Sequence, residues 1–128
     1  MKHLLILLIS ILLLSSPVIG QETGVLYQYK TSSGIKWKTF GNEKVQQKYK
    51  GEITNGKPNG FGFQTYKNGN KYFGEHKNGL PNGQGKSIYP DGSMYLGEYK
   101  DGKPWNVKGY DKEGNIIEKW VNGKIIKQ

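Results

Sequence analysis

The sequence predicts an all-β fold, with tandem antiparallel β-hairpins laid side by side in a thin, elongated sheet. Three observations predict it. A 23-residue unit recurs: Tyr49-Lys50-Gly51-Glu52, Tyr72-Phe73-Gly74-Glu75 and Tyr95-Leu96-Gly97-Glu98 each open a block. Residues 49–71 and 72–94 are identical at 11 of 23 aligned positions, which marks them as copies of one small structural unit that stacks on its neighbours. Turn chemistry recurs about every ten residues, at Asn55-Gly56, Asn68-Gly69, Asn78-Gly79, Asp91-Gly92 and Asp101-Gly102, and short aromatic-rich runs between such turns read as strands.

The chain opens with residues 1–20, read as a signal peptide. Met1-Lys2-His3 is basic, residues 4–14 are apolar except for Ser10, and Ser15-Ser16-Pro17 breaks the run before Val18-Ile19-Gly20. That three-part layout places a cut after Gly20. A retained membrane anchor is the competing reading, but the run is well short of the roughly 20 residues a helix needs to cross a bilayer. No cysteine follows the run, so a lipidated cysteine anchor is excluded. The expected location is therefore outside the cytoplasm, periplasmic or secreted.

Residues 21–48 form an N-terminal β capping segment. Strands over 24–30 and 34–40 bracket Thr31-Ser32-Ser33 as a hairpin. The repeats occupy 49–106, as 49–71, 72–94 and a partial 95–106. Within the first, residues 49–53 are a strand, 55–60 a turn and 61–66 the return strand. The second repeats the pattern through 84–89 and the turn at Asp91-Gly92-Ser93. In the third, Trp105-Asn106 replaces the expected Asn-Gly and the later half slips in register. Residues 107–128 are a divergent C-terminal hairpin and cap, with turns at Glu113-Gly114 and Asn122-Gly123. About ten strands at roughly 4.8 Å each would make a ribbon near 45 Å long.

Alternation puts Tyr49, Gly51 and Ile53 on one side of their strand and Lys50 and Glu52 on the other. A mid-strand glycine weakens a strand unless an aromatic ring from a neighbour lies over its bare backbone. Tyr66 and Tyr89 are expected to supply part of that cover at Gly51, Gly74 and Gly97. One hairpin cannot bury its own tyrosines, so stacking makes the core continuous.

The pattern Tyr-x-Gly-Glu, Asn-Gly-x-Pro-Asn-Gly-x-Gly and Tyr-x-x-Gly runs through residues 49–66 with Gly69 and 72–89 with Gly92, and in part through 95–104. It resembles the MORN repeat (membrane occupation and recognition nexus), and the whole layout is similar to small exported bacterial MORN-repeat proteins. The tail is similar to related repeats in some bacterial toxin–antitoxin immunity proteins. The resemblance implies an elongated, single-layer MORN-type sheet that acts as an interaction scaffold. The structural repeat residues it marks are Tyr49, Gly51, Glu52, Gly60, Gly62 and Tyr66 in the first copy. They are Tyr72, Gly74, Glu75, Gly83, Gly85 and Tyr89 in the second, and Tyr95, Gly97 and Glu98 in the third.

Candidate chemistry is sparse. Glu52, Glu75 and Glu98 recur in equivalent settings, whereas paired catalytic carboxylates need different ones. They are expected to accept hydrogen bonds from the adjacent turn backbone. His76 is the one histidine beyond the leader and stands where Ile53 and Tyr99 stand in the other copies. A lone histidine without cysteine does not make a usual zinc site. The Gly60/Gly62 and Gly83/Gly85 pairs belong to the repeat and precede no helix that could cradle a phosphate. No catalytic residue, cofactor or metal is expected. Of the aromatic residues, Phe73, His76, Tyr99 and Trp105 are the candidate binding face, against the reading that most aromatic side chains form the thin core.

The chain has 19 lysines, no arginine and 10 acidic residues. Without Lys2 the mature part carries +8, which favours anionic partners. The absence of arginine, the preferred fork for phosphates and guanine edges, argues against sequence-specific nucleic-acid binding. The expected function is that of a non-enzymatic scaffold for a partner protein or for self-association. Anionic lipid or glycan, held by lysines and aromatic rings, is the alternative partner.

Overall fold

The structure is a computed structural model that describes residues 21–127, and the signal peptide read over 1–20 lies outside the described residues. Ten strands form one open antiparallel sheet, and no helix is present among the described residues. In chain order they are β1 (Gln21–Thr31), β2 (Gly34–Lys38), β3 (Lys48–Thr54), β4 (Lys57–Thr65), β5 (Lys71–Lys77), β6 (Leu80–Ile88), β7 (Met94–Lys100), β8 (Lys103–Tyr110), β9 (Ile116–Val121) and β10 (Lys124–Lys127). From β3 onward each strand pairs with the next. The N-terminal hairpin departs from this meander. The first half of β1 pairs with β3 and its second half with β2, which leaves β2 at the edge. Gln28 N–H to the Gln47 carbonyl (3.0 Å) and Gln46 Nε2 to the Gln28 carbonyl (3.0 Å) tie the returning chain to β1.

The turns within the hairpins are tighter than the 55–60 span suggests. Asn55 and Gly56 alone turn the chain, with φ of 53° and 73°, the left-handed pair of a two-residue hairpin. The return strand therefore starts at Lys57, not Phe61, and its counterparts at Leu80 and Lys103. The Pro58-Asn59 pair has a different task from turning. Gly79 N–H donates to the Pro58 carbonyl (2.9 Å), and Gly102 N–H to that of Pro81 (2.8 Å). The side-chain carbonyls of Asn59 and Asn82 accept the amides of Asn78 (3.3 Å) and Asp101 (3.1 Å). Each turn is thus bonded to the hairpin before it, which is why Asn-Gly-x-Pro-Asn-Gly recurs as a block.

Between Gly51 and Ile53 the register shifts. The bulge holds Gly60 at φ 100°, where a side chain would collide with the Glu52 carboxylate. The second hairpin repeats the bulge between Gly74 and His76. In the third the bulge is one residue shorter, since Tyr99 faces Pro104 while Gly97 already faces Val107. Trp105 and Asn106 take over the two turn bonds, from Gly123 N–H (2.9 Å) and Asn122 N–H (3.0 Å). This shortening is the register slip visible in the sequence.

The glycine cover comes from residues other than Tyr66 and Tyr89. A Cβ at Gly62 would lie inside the Tyr49 ring, and one at Gly85 inside the Tyr72 ring. The Tyr49 hydroxyl reaches on to donate to the Glu52 carbonyl (2.6 Å), and that of Tyr72 to the Glu75 carbonyl (2.9 Å). The first tyrosine of each of the first two copies therefore lies flat over glycine, with its hydroxyl on a carbonyl at the bulge. In the third copy Val107 replaces the glycine, and the Tyr95 ring covers Gly109 instead. Tyr66 packs beside the Tyr72–Tyr99–Val107 cluster, and Tyr89 meets Tyr95 edge-on at 5.2 Å.

These rings make a continuous aromatic face. Tyr49 and Tyr72 are 0% and 1% exposed. Trp37 packs on the Leu26, Tyr49 and Ile53 cluster, and its indole nitrogen approaches Gly79 in the β5–β6 turn. In a flat sheet β2 and β5 stand four spacings apart, roughly 19 Å, so the sheet coils toward its aromatic face.

Gly62→Ala should lower stability by about 3 kcal/mol, because a methyl group cannot share space with the Tyr49 ring. Gly56→Ala, whose Cβ meets open space, should cost only about 1 kcal/mol for the left-handed backbone. Urea denaturation of the two variants checks this; equal costs would contradict the packing.

Candidate interaction surface

The face opposite the tyrosines is set by the same alternation. Cross-strand pairing lines up Lys50, Phe63, Phe73, Lys86, Leu96 and Lys108, one from each strand β3 to β8, and Lys119 of β9 follows. A second row on this face runs through Phe61, Glu75, Gln84 and Glu98 to Asn106. Phe61 is 57% exposed, Phe73 55%, Leu96 40% and Phe63 36%. The Phe63 and Phe73 rings sit 6.4 Å apart. Four large apolar side chains thus form one band on the outer side of the coil, and exposed apolar clusters commonly mark interaction surfaces.

The carboxylates of the second row are engaged. The Glu52 carboxylate accepts the Phe61 amide (2.5 Å), that of Glu75 the Gln84 amide (2.5 Å), and that of Glu98 the Asn106 side-chain amide (3.0 Å). Glu52 and Glu75 each satisfy a backbone donor that the bulge detaches from the ladder, whereas Glu98 takes a side-chain donor from its ladder partner. The donors lie on the return strand and not in the turn, because the bulge, nine residues on, is where the ladder breaks. Among the described residues no group of three His, Asp or Glu side chains is placed to hold a metal. One ion pair is present there, Lys48 to Glu43 at 3.0 Å on the exposed β2–β3 side.

The four residues expected as a binding face do not share one. Phe73 points outward, but His76 and Tyr99 are 3% and 4% exposed on the aromatic side. Trp105 is held between the Lys100 ammonium, 4.5 Å from its ring, and Gly123. His76 stands edge-on between Tyr49 (4.8 Å) and Tyr72 (5.1 Å) and so joins the two aromatic clusters. Its Nδ1 donates to the Gly74 carbonyl (3.1 Å), and Nε2 lies 3.2 Å from the Gln64 side-chain carbonyl. Burial pulls its pKa down to about 4, with the backbone hydrogen bonds opposing. Burial likewise raises Tyr66 and Tyr99 to about 12 and Tyr49 and Tyr72 further still, so these phenols stay protonated near neutrality. The outward residues that sequence reasoning passed over are Phe61, Phe63 and Leu96. Strict alternation in Phe61-Gly62-Phe63-Gln64 was the available signal, since it sets both phenylalanines opposite the glycine and glutamine.

A sheet grown by one repeated hairpin, with Tyr49 and Tyr72 buried in the stack, defines a repeat protein of the open-sheet class. The family model of the MORN repeat matches residues 49–71 and 72–94, and the chain carries two MORN repeats there. The β7–β8 hairpin lies beyond the matched residues except for Met94 and keeps the turn-to-hairpin bonds. A comparison with curated proteins finds no match. MORN repeats suggest a binding or scaffold role, and their family is generally non-enzymatic.

A buried histidine whose pKa is lowered on folding binds its proton more readily in the unfolded chain, so stability should fall as pH drops from about 6.5 toward 4. Urea midpoints at pH 7, 5 and 4 for the parent and His76→Gln isolate this contribution. The parent should lose more over that window; parallel curves would contradict the buried neutral imidazole.

Proposed function

We propose that the protein is an exported scaffold that binds a partner protein, or a second copy of itself, through the outward face of its sheet. The observation that carries this reading is the exposed band of Phe61, Phe63, Phe73 and Leu96, set on a rigid repeat frame. Apolar side chains held in a fixed array gain their stabilisation when a partner removes them from water. Export rests on the leader layout of residues 1–20.

The lysines interleaved on the same face favour a second reading, attachment to an anionic lipid or glycan. Such attachment should fade as salt rises, whereas apolar docking should persist.

Phe73→Ser with Leu96→Ser should abolish partner capture from an extract of the native cells, or the concentration-dependent mass seen by light scattering, with an unchanged circular dichroism spectrum. A parent protein that is strictly monomeric and captures nothing would contradict the proposal. N-terminal sequencing of the protein outside the cytoplasm should begin at Gln21; an intact Met1 there would contradict cleavage.

A further inference from the structure

The outward face carries a groove that crosses the strands. Its floor is the bare backbone of Gly74, Gly85 and Gly97, and Phe61 and Gln84 stand on one bank, with Phe73, Lys86 and Leu96 on the other. Past Leu96 it continues between Asn106 and Val121 on the first bank and Lys108 and Lys119 on the second. The volume is about 460 Å³ at the apolar end and about 250 Å³ at the basic end.

We propose that this groove binds an extended acidic peptide segment with one aromatic or large apolar anchor. The inference rests on the scaffold reading above and names its partner class. The banks are rows two residues apart along each strand, about 7 Å. An extended backbone fits between them, and a helix of 10–12 Å diameter does not. From β4 to β9 the groove spans five strand spacings, roughly 24 Å, the reach of about seven extended residues.

Charge selects the sign of the partner. Lys86, Lys108 and Lys119 line one bank and form no ion pair among the described residues. Across from them, Glu75 and Glu98 are held by the Gln84 and Asn106 amides. The same lysines, and the +8 carried by each mature chain, oppose a second copy as the occupant. Phe61, Phe73 and Leu96 at the other end take the apolar anchor.

Fluorescence anisotropy at low salt tests the assignment with two labelled octapeptides, one of Asp and Glu with a single Phe and one with the acids replaced by Asn and Gln. The acidic peptide should bind at least about tenfold more tightly. Phe73→Ser should weaken it about tenfold and Lys108→Gln about fivefold, in the range of truncated interface contacts. Lys67→Gln, in the exposed β4–β5 loop, should leave it unchanged. Equal binding of both peptides, binding of neither, or equal losses from Lys67→Gln and Lys108→Gln would overturn the assignment. So would sedimentation with phosphatidylglycerol-containing vesicles in place of peptide binding. If the acidic peptide fails while the Phe73 and Leu96 variant still loses its native partner, the peptide assignment falls and the scaffold reading stands. If there is neither capture nor self-association, both fall.

Discussion

Tyr49 lying across Gly62, and Tyr72 across Gly85, is the contact that fixes the geometry of the sheet. Nothing larger than a hydrogen atom fits beneath either ring, so the return strand of each hairpin must offer glycine there. The hydroxyl at the far end of each ring takes up the carbonyl of Glu52 or Glu75. That bond fixes the bulge, and the bulge sends the glutamate carboxylate back to the return strand. Tyrosine, glycine and glutamate recur together because one local arrangement requires all three.

Two further interactions turn this unit into an array. The amide of each hairpin turn bonds to the preceding return strand, which sets the step between hairpins. On the aromatic face, His76 meets both Tyr49 and Tyr72 edge-on, and Tyr72 meets Tyr99 at 5.0 Å. Such pairs contribute about 0.5–1.5 kcal/mol each beyond area burial, and the Tyr49–His76 and Tyr72–Tyr99 pairs cross hairpin boundaries. The other face, where the glycine backbone is open and lysines alternate with apolar side chains, is the one proposed for recognition.

Much of this was legible in the sequence, because the signals are local. The Asn-Gly and Asp-Gly turns place all four two-residue hairpin turns from β3 onward, and the alternation around Gly51 orients the strand correctly. The division of labour after the turn was not legible. Pro58 and Asn59 look like turn residues, but their partners, Gly79 and Asn78, lie about twenty residues away in the next copy. The wrong tyrosines were expected over glycine because ring reach depends on cross-strand register, which the bulge shifts. Grouping Phe73 with His76 and Tyr99 overlooked a distinction the sequence does hold. Residues 72, 74 and 76 share one side of β5 and residue 73 takes the other. Trp105 could not be placed, since the third bulge is one residue short and local pattern gives no register there.

The proton chemical shifts of the glycine α-protons test the central claim most directly. With the Tyr49 and Tyr72 rings stacked on the backbone, the α-protons of Gly62 and Gly85 should lie far upfield of those of Gly56 and Gly114, which have no ring above them. Ordinary shifts at Gly62 and Gly85 in the folded protein would contradict the account.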